Sequence, residues 1–362
     1  MHKIIGTVFV VVLLYPQAFS QQKKGAGTAK HRLLLLPVLS RSIETGWSFG
    51  AAGSYTFHIN GNDSLTRTSN LQAVSYYTLN KQFLAAVDGS VYFPKEKYIL
   101  NTHLSYSYFP DKFWGIGNET PESNKESYSF RQCYVYLHGQ RLVAHKVFLG
   151  LIYEYQNLIG IHYRTGGLFD QQQVTGRNPY HISGLGASFS FDKRNNAFAP
   201  DHGTLLLVSF SHFDKIFASD FRYSNMVIDF RKYWPVFRRH VLAAQAYGLF
   251  NAGNVPFRSM ASLGGSESMR GYYDGRYLDK NQLVFQAEYR LPVWWRFGAV
   301  LFAGMGDVAH RLNDFDFLDM KYSAGAGIRF AVNRTEKMNI RLDYGVGGGR
   351  QNGFYIQFGE AF

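Results

Sequence analysis

The chain has 362 residues, with 38 Lys or Arg against 26 Asp or Glu, one cysteine, 36 glycines and 17% aromatic residues. A single cysteine, Cys133, excludes an intrachain disulfide framework. Beyond the N-terminus no apolar run approaches the roughly 20 residues of a spanning helix, so a helical membrane bundle is excluded and stability must come from backbone pairing and packing.

At the N-terminus, Lys3, the apolar run Ile4 to Leu14 and the small-x-small site Ala18-Phe19-Ser20 read as a secretory signal over residues 1–20. The apolar run is too short for a comfortable transmembrane anchor, and no cysteine at the cleavage site offers a lipid anchor. Removing the signal with Lys3 leaves 362 − 20 = 342 residues and a charge of 37 − 26 = +11. Excess positive charge on an exported chain points away from nucleic acid and toward anionic outer-membrane lipids, lipopolysaccharide included, or acidic partners. Residues 21–32 form a short polar, Gly-containing lead-in, expected on the periplasmic side.

From residue 33 onward a strand of about ten residues followed by a turn recurs to the end. The reading gives strands at 33–40, 46–59, 67–79, 83–93, 97–109, 127–140, 144–158, 180–191, 203–213, 220–232, 239–250, 282–292, 297–308, 321–331, 337–345 and 352–361. From Leu283 to Leu291 the odd positions are apolar while Gln286, Glu288 and Arg290 fall between them, and Ile340 to Tyr344 alternates in the same way. One apolar and one charged face fits a strand between lipid and a wet lumen better than a soluble sandwich. Aromatic clusters at strand ends, Tyr233-Trp234-Pro235-Val236-Phe237 and Trp294-Trp295, fit interfacial girdles. Short links at 141–143, 233–238, 293–296 and 332–336 fall on one side and long ones at 110–126, 159–179, 251–281 and 309–320 on the other. The fold class is therefore all-β: a transmembrane antiparallel β-barrel of sixteen strands, 33–362, closed because a closed sheet leaves no unpaired edge in lipid.

The stretch Leu263 to Asn281 holds four glycines around Met269-Arg270-Gly271-Tyr272. A connection this long is usually functional or disordered. Two arrangements are compatible with the residues: the loop folds into the lumen and Arg270 meets Glu288 on the next strand, or the loop stays outside with Arg270 solvated. Gly345-x-Gly347-Gly348-Gly349 lacks the strand-to-helix context and Gly-Lys-Ser/Thr ending of a nucleotide loop and reads as a hairpin turn. Asn313, Asp314, Asp316 and Asp319 lack the glycine and terminal glutamate of a calcium loop and read as solvated charges. With no G-x-S-x-G elbow and no H-E-x-x-H spacing, no enzyme, metal or cofactor is expected.

Gly264-Gly265-Ser266-Glu267-Ser268-Met269-Arg270-Gly271-Tyr272, with Glu288-Tyr289-Arg290-Leu291-Pro292 after it, resembles the BamA/TamA superfamily of outer-membrane assembly barrels, of the bacterial surface antigen type. Asp192, Arg194, Asn196, Pro200 and Gly203 are similar to the family's D-x-R-x-N…P-x-x-G periplasmic turn, and Gly353 to Phe362 resembles its terminal strand. The resemblance implies that Arg270, Gly271 and Tyr272 form an inserted loop tip received by Glu288. It also implies that Phe354, Ile356, Phe358 and Phe362, read as one face of the last strand, form a C-terminal recognition signal. The family's second carboxylate, in an F-x-D-x-G pattern, falls here on Gly304, with Asp307 three residues late. The lead-in is too short for a periplasmic substrate-binding repeat, so a member without such repeats, working with a periplasmic partner protein, is expected. Pro37 in the first strand and the glycines of the last hairpin predict a weak first-to-last seam. The implied role is assisting insertion or translocation of unfolded polypeptides at the outer membrane; the alternative is a passive diffusion pore or a structural barrel.

Overall fold

The computed structural model describes residues 32–59, 66–196, 198–237, 239–333 and 337–362. The expected signal and the lead-in up to residue 31 lie outside the described residues. Sixteen antiparallel strands close into a barrel. They are β1 (Arg32–Ser42), β2 (Gly46–Phe57), β3 (Ser69–Thr78), β4 (Phe83–Tyr92), β5 (Tyr98–Phe113), β6 (Glu126–Ala144), β7 (Val147–His162), β8 (Tyr180–Asp192), β9 (Gly203–Phe213), β10 (Tyr223–Pro235) and β11 (Val241–Gly253). After the long loop come β14 (Asn281–Trp294), β15 (Phe297–Ala309), β16 (Lys321–Asn333), β17 (Met338–Gly347) and β18 (Asn352–Phe358). Inside that loop, β12 (Ala261–Leu263) and β13 (Tyr277–Asp279) make a small hairpin of their own that the sequence pattern does not announce.

Alternation sorts the side chains as the period of two requires. On β14, Gln286 and Glu288 are buried inside while Phe285 and Ala287 face out; on β7, Leu149 and Leu151 are exposed while Ile152 and Glu154 are buried. A water-exposed wall carrying Leu33, Leu35, Leu151, Phe210, Leu301 and Ile328 would be an apolar surface far larger than soluble proteins tolerate; facing lipid, it is the wall's proper solvent. The strands of the back wall, β5 to β7, run longer than expected. Residues 141–143, read as a short link, continue β6 through a register shift between Leu142 and Ala144, and the link is at 145–146. Leu142, Val143 and Ala144 are apolar and pair with β7, so nothing there ends the strand.

Neighbouring strands share long ladders, with one exception. Every residue of β1 from Arg32 to Ser42 has a registered partner in β2, and β17 pairs with β18 from Ile340 to Val346. Between β1 and β18 the registered pair among the described residues is Arg41 opposite Ile356. Pro37 sits mid-strand opposite Ala51 of β2, leaving β1 without a donor at that position.

Two expected placements are corrected. Tyr233 is not in an interfacial girdle: it is 1% exposed, inside the lumen, whereas Trp234, Phe237, Trp294 and Trp295 face out. The last strand does not carry Phe362 on the face of Phe354. β18 stops at Phe358, Gly359 takes φ +81° while its N–H donates to Asn339 O, and Ala361 and Phe362 turn into the lumen against Tyr233, Val241 and Ala243. Ile356 is buried at 9% and Phe354 is half-buried; the Phe358 side chain lies outside the described ones.

Candidate functional site

The loop after β11 folds back into the barrel, and the structure brings Arg270 to Glu288. Arg270 Nη2 donates to Glu288 Oε1 at 2.6 Å and Nη1 to Asp343 Oδ2 at 2.6 Å, both partners fully buried. The guanidinium lies 3.6 Å over the Phe302 ring, which adds cation–π attraction in a site withdrawn from water. Glu288 also accepts from Arg290 at 2.9 Å, and Arg329 joins Asp343 at 2.5 Å and Glu360 at 2.7 Å. Arg341 lies 3.4 Å from Asp343 and donates to Gln357. Four guanidiniums thus interlace with three carboxylates from β14, β17 and the end of the chain. Burial of so many charges is sustainable only because each carboxylate is shared.

Asp343 is the second carboxylate that the sequence comparison sought at Gly304. A side chain at Gly304 would be crowded: a Cβ there would meet Met269 Sδ and Gln286 Cβ at 3.3 Å, tighter than ordinary van der Waals contact. Asp307, three residues on, accepts from Asn118 Nδ2 at 2.9 Å and serves an outer loop instead. Asp343 was legible as an inward residue of an alternating strand, but no local spacing ties it to a loop 73 residues away.

The glycines of the last hairpin have a different use from the one expected. A Cβ on Gly345 would meet Arg270 O at 2.6 Å, and one on Gly347 would meet the Tyr272 ring at 2.6 Å. They form a flat seat into which the loop tip is pressed. Gly271, at φ +114°, donates its N–H to Tyr355 Oη at 3.0 Å, and Tyr272 Oη donates to Tyr322 O at 2.9 Å while accepting from Gly348 N at 2.7 Å. The tip therefore rests on β14 to β18, all on the C-terminal side of the seam. Two residues later the loop touches the other side: Asp274 N donates to Glu44 Oε1 at 3.0 Å, in the turn between β1 and β2. Residues 270–274 straddle the place where backbone pairing is thinnest.

Glu44 lies beyond the strand ends, and burial beneath the loop, with the Asp274 charge adding, pushes its carboxyl up to about 7. A raised folded value means that the stabilisation is complete below the ordinary carboxylate range and is lost as pH rises through about 7. Protection of the Asp274 amide from hydrogen exchange is therefore expected to be greater at pH 6 than at pH 8, and Glu44→Gln should flatten that dependence. Protection that rises with pH would reverse the assignment.

The outer end of the lumen is filled. Phe109, Phe113, Tyr128, Phe130, Phe169 and Phe257 form the centre of an apolar cluster contributed by strand ends and by the β7–β8 and β11–β14 outer loops. Arg276 ties the long loop to the β5–β6 loop, donating to Thr120 Oγ1 at 2.7 Å and Thr120 O at 2.6 Å. Below this plug a cavity of about 580 Å³ is lined from Glu44 and Asp111 at one end to Arg67, Asp192 and Arg194 at the other. The D-x-R-x-N turn closes part of that second end. Asp192 holds Arg194 through both carboxylate oxygens at 2.9 and 3.0 Å, and Asn196 Oδ1 accepts from Phe198 and Ala199 N–H groups. Pro200 is buried, and Gly203 takes φ +116° with its Cα against Lys193 and Arg194, where a side chain would clash.

Solved structures that share this architecture include a BamA and two CdiB barrels. BamA from Haemophilus ducreyi lacking POTRA domains 1–3 superposes with a TM-score of 0.57 at 14% identity, covering 90% of this chain and 70% of its own. CdiB from Acinetobacter baumannii and CdiB from Escherichia coli each give 0.56 at 12% identity, covering 91% and 90% of this chain. This chain spans 65% and 62% of those two CdiB chains. At such identities the likeness is one of fold. A search among curated proteins matches none. The Omp85 superfamily domain, by contrast, matches residues 45–362, nearly the whole described barrel, so the chain belongs to the Omp85 superfamily and its closed barrel is an outer-membrane structure.

Proposed function

We propose that this barrel assists the insertion of polypeptides into the outer membrane, using the β1–β18 seam as the edge on which an incoming strand pairs. The observation that carries this reading is the contrast between the two routes out. Outward passage through the lumen meets a packed aromatic plug, whereas sideways passage meets, among the described residues, one registered backbone pair and a loop strap. An exposed strand edge is a template for another strand, with main-chain hydrogen bonds supplying affinity and no catalytic group required. Arg270, Gly271 and Tyr272 position the strap, and Glu288 with Asp343 hold it. Membership of the Omp85 superfamily, matched over residues 45–362, is the ground for taking a polypeptide as substrate and a periplasmic protein as partner. Depleting the protein and cataloguing outer-membrane components tests the role: loss of integral barrels supports insertion, whereas an unchanged barrel complement with loss of a small solute's uptake would replace it with the diffusion-pore reading.

The plug gives a second discriminating measurement. In planar bilayers the purified barrel is expected to show small, irregular currents, since the lumen is obstructed by buried side chains. Large, steady single-channel steps would sink the insertion reading in favour of a pore.

A further inference from the structure

The carboxylates and cations in the inner-side turns of the back wall have separated. Glu96 accepts from Arg67 Nε at 2.9 Å and Nη2 at 3.0 Å, Asp192 is held by Arg194, and Asp201, the third acid of these turns, is paired with Lys337, so each acid is already engaged by a cation other than the four that follow. Left on the opposite side are Lys97, Arg141, Lys146 and Lys193, all exposed and, among the described residues, without a carboxylate partner. They are contiguous: Leu142 N donates to Lys97 O at 2.9 Å, and Asp192 N to Lys146 O at 3.0 Å, linking the ends of β5 to β8. Their direction is given by the rings beneath them. Lys97 Nζ lies 5.8 Å from the ring centre of Tyr98, 43% exposed on the lipid-facing side of β5, and Lys193 Nζ lies 5.0 Å from that of Phe191, on the side shared with Phe189 and Leu185. Arg141 shares its strand face with Val143 and Leu137, both exposed to lipid.

We propose that this arc is a binding site for anionic phospholipid headgroups of the periplasmic leaflet. Cations at the ends of lipid-facing strands, two of them over interfacial aromatic rings and none paired with a carboxylate among the described residues, sit at the depth of the phosphates and meet them without desolvation in the bilayer core. The arc lies four to seven strands from β1 and so away from the seam, and lipid bound there grips wall that does not open. The occupant is a membrane lipid rather than an acidic polypeptide because the charges continue the lipid-facing surface and turn away from the mouth.

Mixed micelles of phosphatidylglycerol and phosphatidylcholine, followed by native mass spectrometry of the retained lipid, test this directly. Wild-type barrel should retain phosphatidylglycerol preferentially. The variant Lys97→Gln, Arg141→Gln, Lys146→Gln, Lys193→Gln should lose that preference, by about five-fold for each charge removed. A control replacing the exposed outer-side residues Lys81, Arg164, Lys215 and Arg350 by Gln should keep it. Heat-modifiable mobility identifies folded barrel in every sample, so loss of preference in an unfolded variant is not scored. Parity between the two lipids in the wild type, or an unchanged preference in the inner-side variant, overturns the proposal. So does an arc that is indifferent to lipid but cross-links to a periplasmic polypeptide in cells.

Discussion

Arg270→Ala is expected to release the inserted loop without unfolding the barrel. The substitution removes a guanidinium that is 1% exposed and strands parts of two carboxylates, Glu288 and Asp343, that are fully buried. Breaking a buried pair in this way costs about 3–5 kcal/mol. The lower end applies here, because Arg290 and Arg329 still reach Glu288, and Arg329 and Arg341 still reach Asp343. Even about 3 kcal/mol shifts the seated-to-free ratio of the loop by more than a hundred-fold, at about 1.4 kcal/mol per factor of ten. Arg276, held at 4% exposure by Thr120, then becomes reachable from outside. Trypsin added to intact cells should cut the variant near Arg276 and spare the wild type. Arg270→Lys should fall near the variant, since one ammonium cannot donate in parallel to carboxylates on β14 and β17 while stacking over Phe302. A trypsin-resistant Arg270→Ala barrel with unchanged heat-modifiable mobility would remove the basis for the latch.

The latch also shows where sequence reasoning reaches and where it stops. Glu288 was legible because a period of two fixes its face from its neighbours alone, and the loop's length marked it as unusual. Its union with Arg270 needed the barrel's curvature. Gly345 and Gly347 alone predict a weakened hairpin; their reason is the main chain of Arg270 and the ring of Tyr272, atoms that arrive from another part of the chain. The sequence places Tyr233 in a girdle and Phe362 on the face of Phe354 for a related cause. Aromatic residues at strand ends look alike whether they meet an interface or a folded-in terminus, and a turn at Gly359 reverses the direction without disturbing the alternation before it. The plug was invisible for the opposite reason: Phe169 and Phe257 belong to loops, where no period organises the apolar positions. Period and turn chemistry thus gave strand number and inward faces, while long-range contacts decided what the inward groups hold.

Locking the seam should abolish insertion activity without unfolding the barrel. Arg41 and Ile356 are registered partners, and antiparallel partners have Cα atoms about 4.5–5.5 Å apart, within reach of a disulfide. Arg41→Cys with Ile356→Cys, in a Cys133→Ser background, places the bond at the junction that the strap of residues 270–274 otherwise closes. If an incoming strand enters there, the oxidised protein should insert a test barrel into liposomes at least ten-fold more slowly than the same protein after reduction. The control is a disulfide between Ala246→Cys and Phe285→Cys, across β11 and β14, where the ladder is continuous and nothing is proposed to open. That bond should leave the rate unchanged. The two sites separate rigidity from gating, because a general stiffening of the wall would slow both proteins equally. Oxidised seam-locked barrel that inserts substrate as fast as its reduced form would mean that polypeptide does not use this edge, whatever the strength of its pairing. The Arg270 result sharpens the outcome further. A free loop with an unlocked seam raises the population of open barrel, since the strap's hold from β14, β17 and β18 to the Glu44 turn is lost, whereas a free loop with a locked seam cannot open at all. Non-additivity between Arg270→Ala and the seam disulfide is therefore expected, with the disulfide dominating the combined rate.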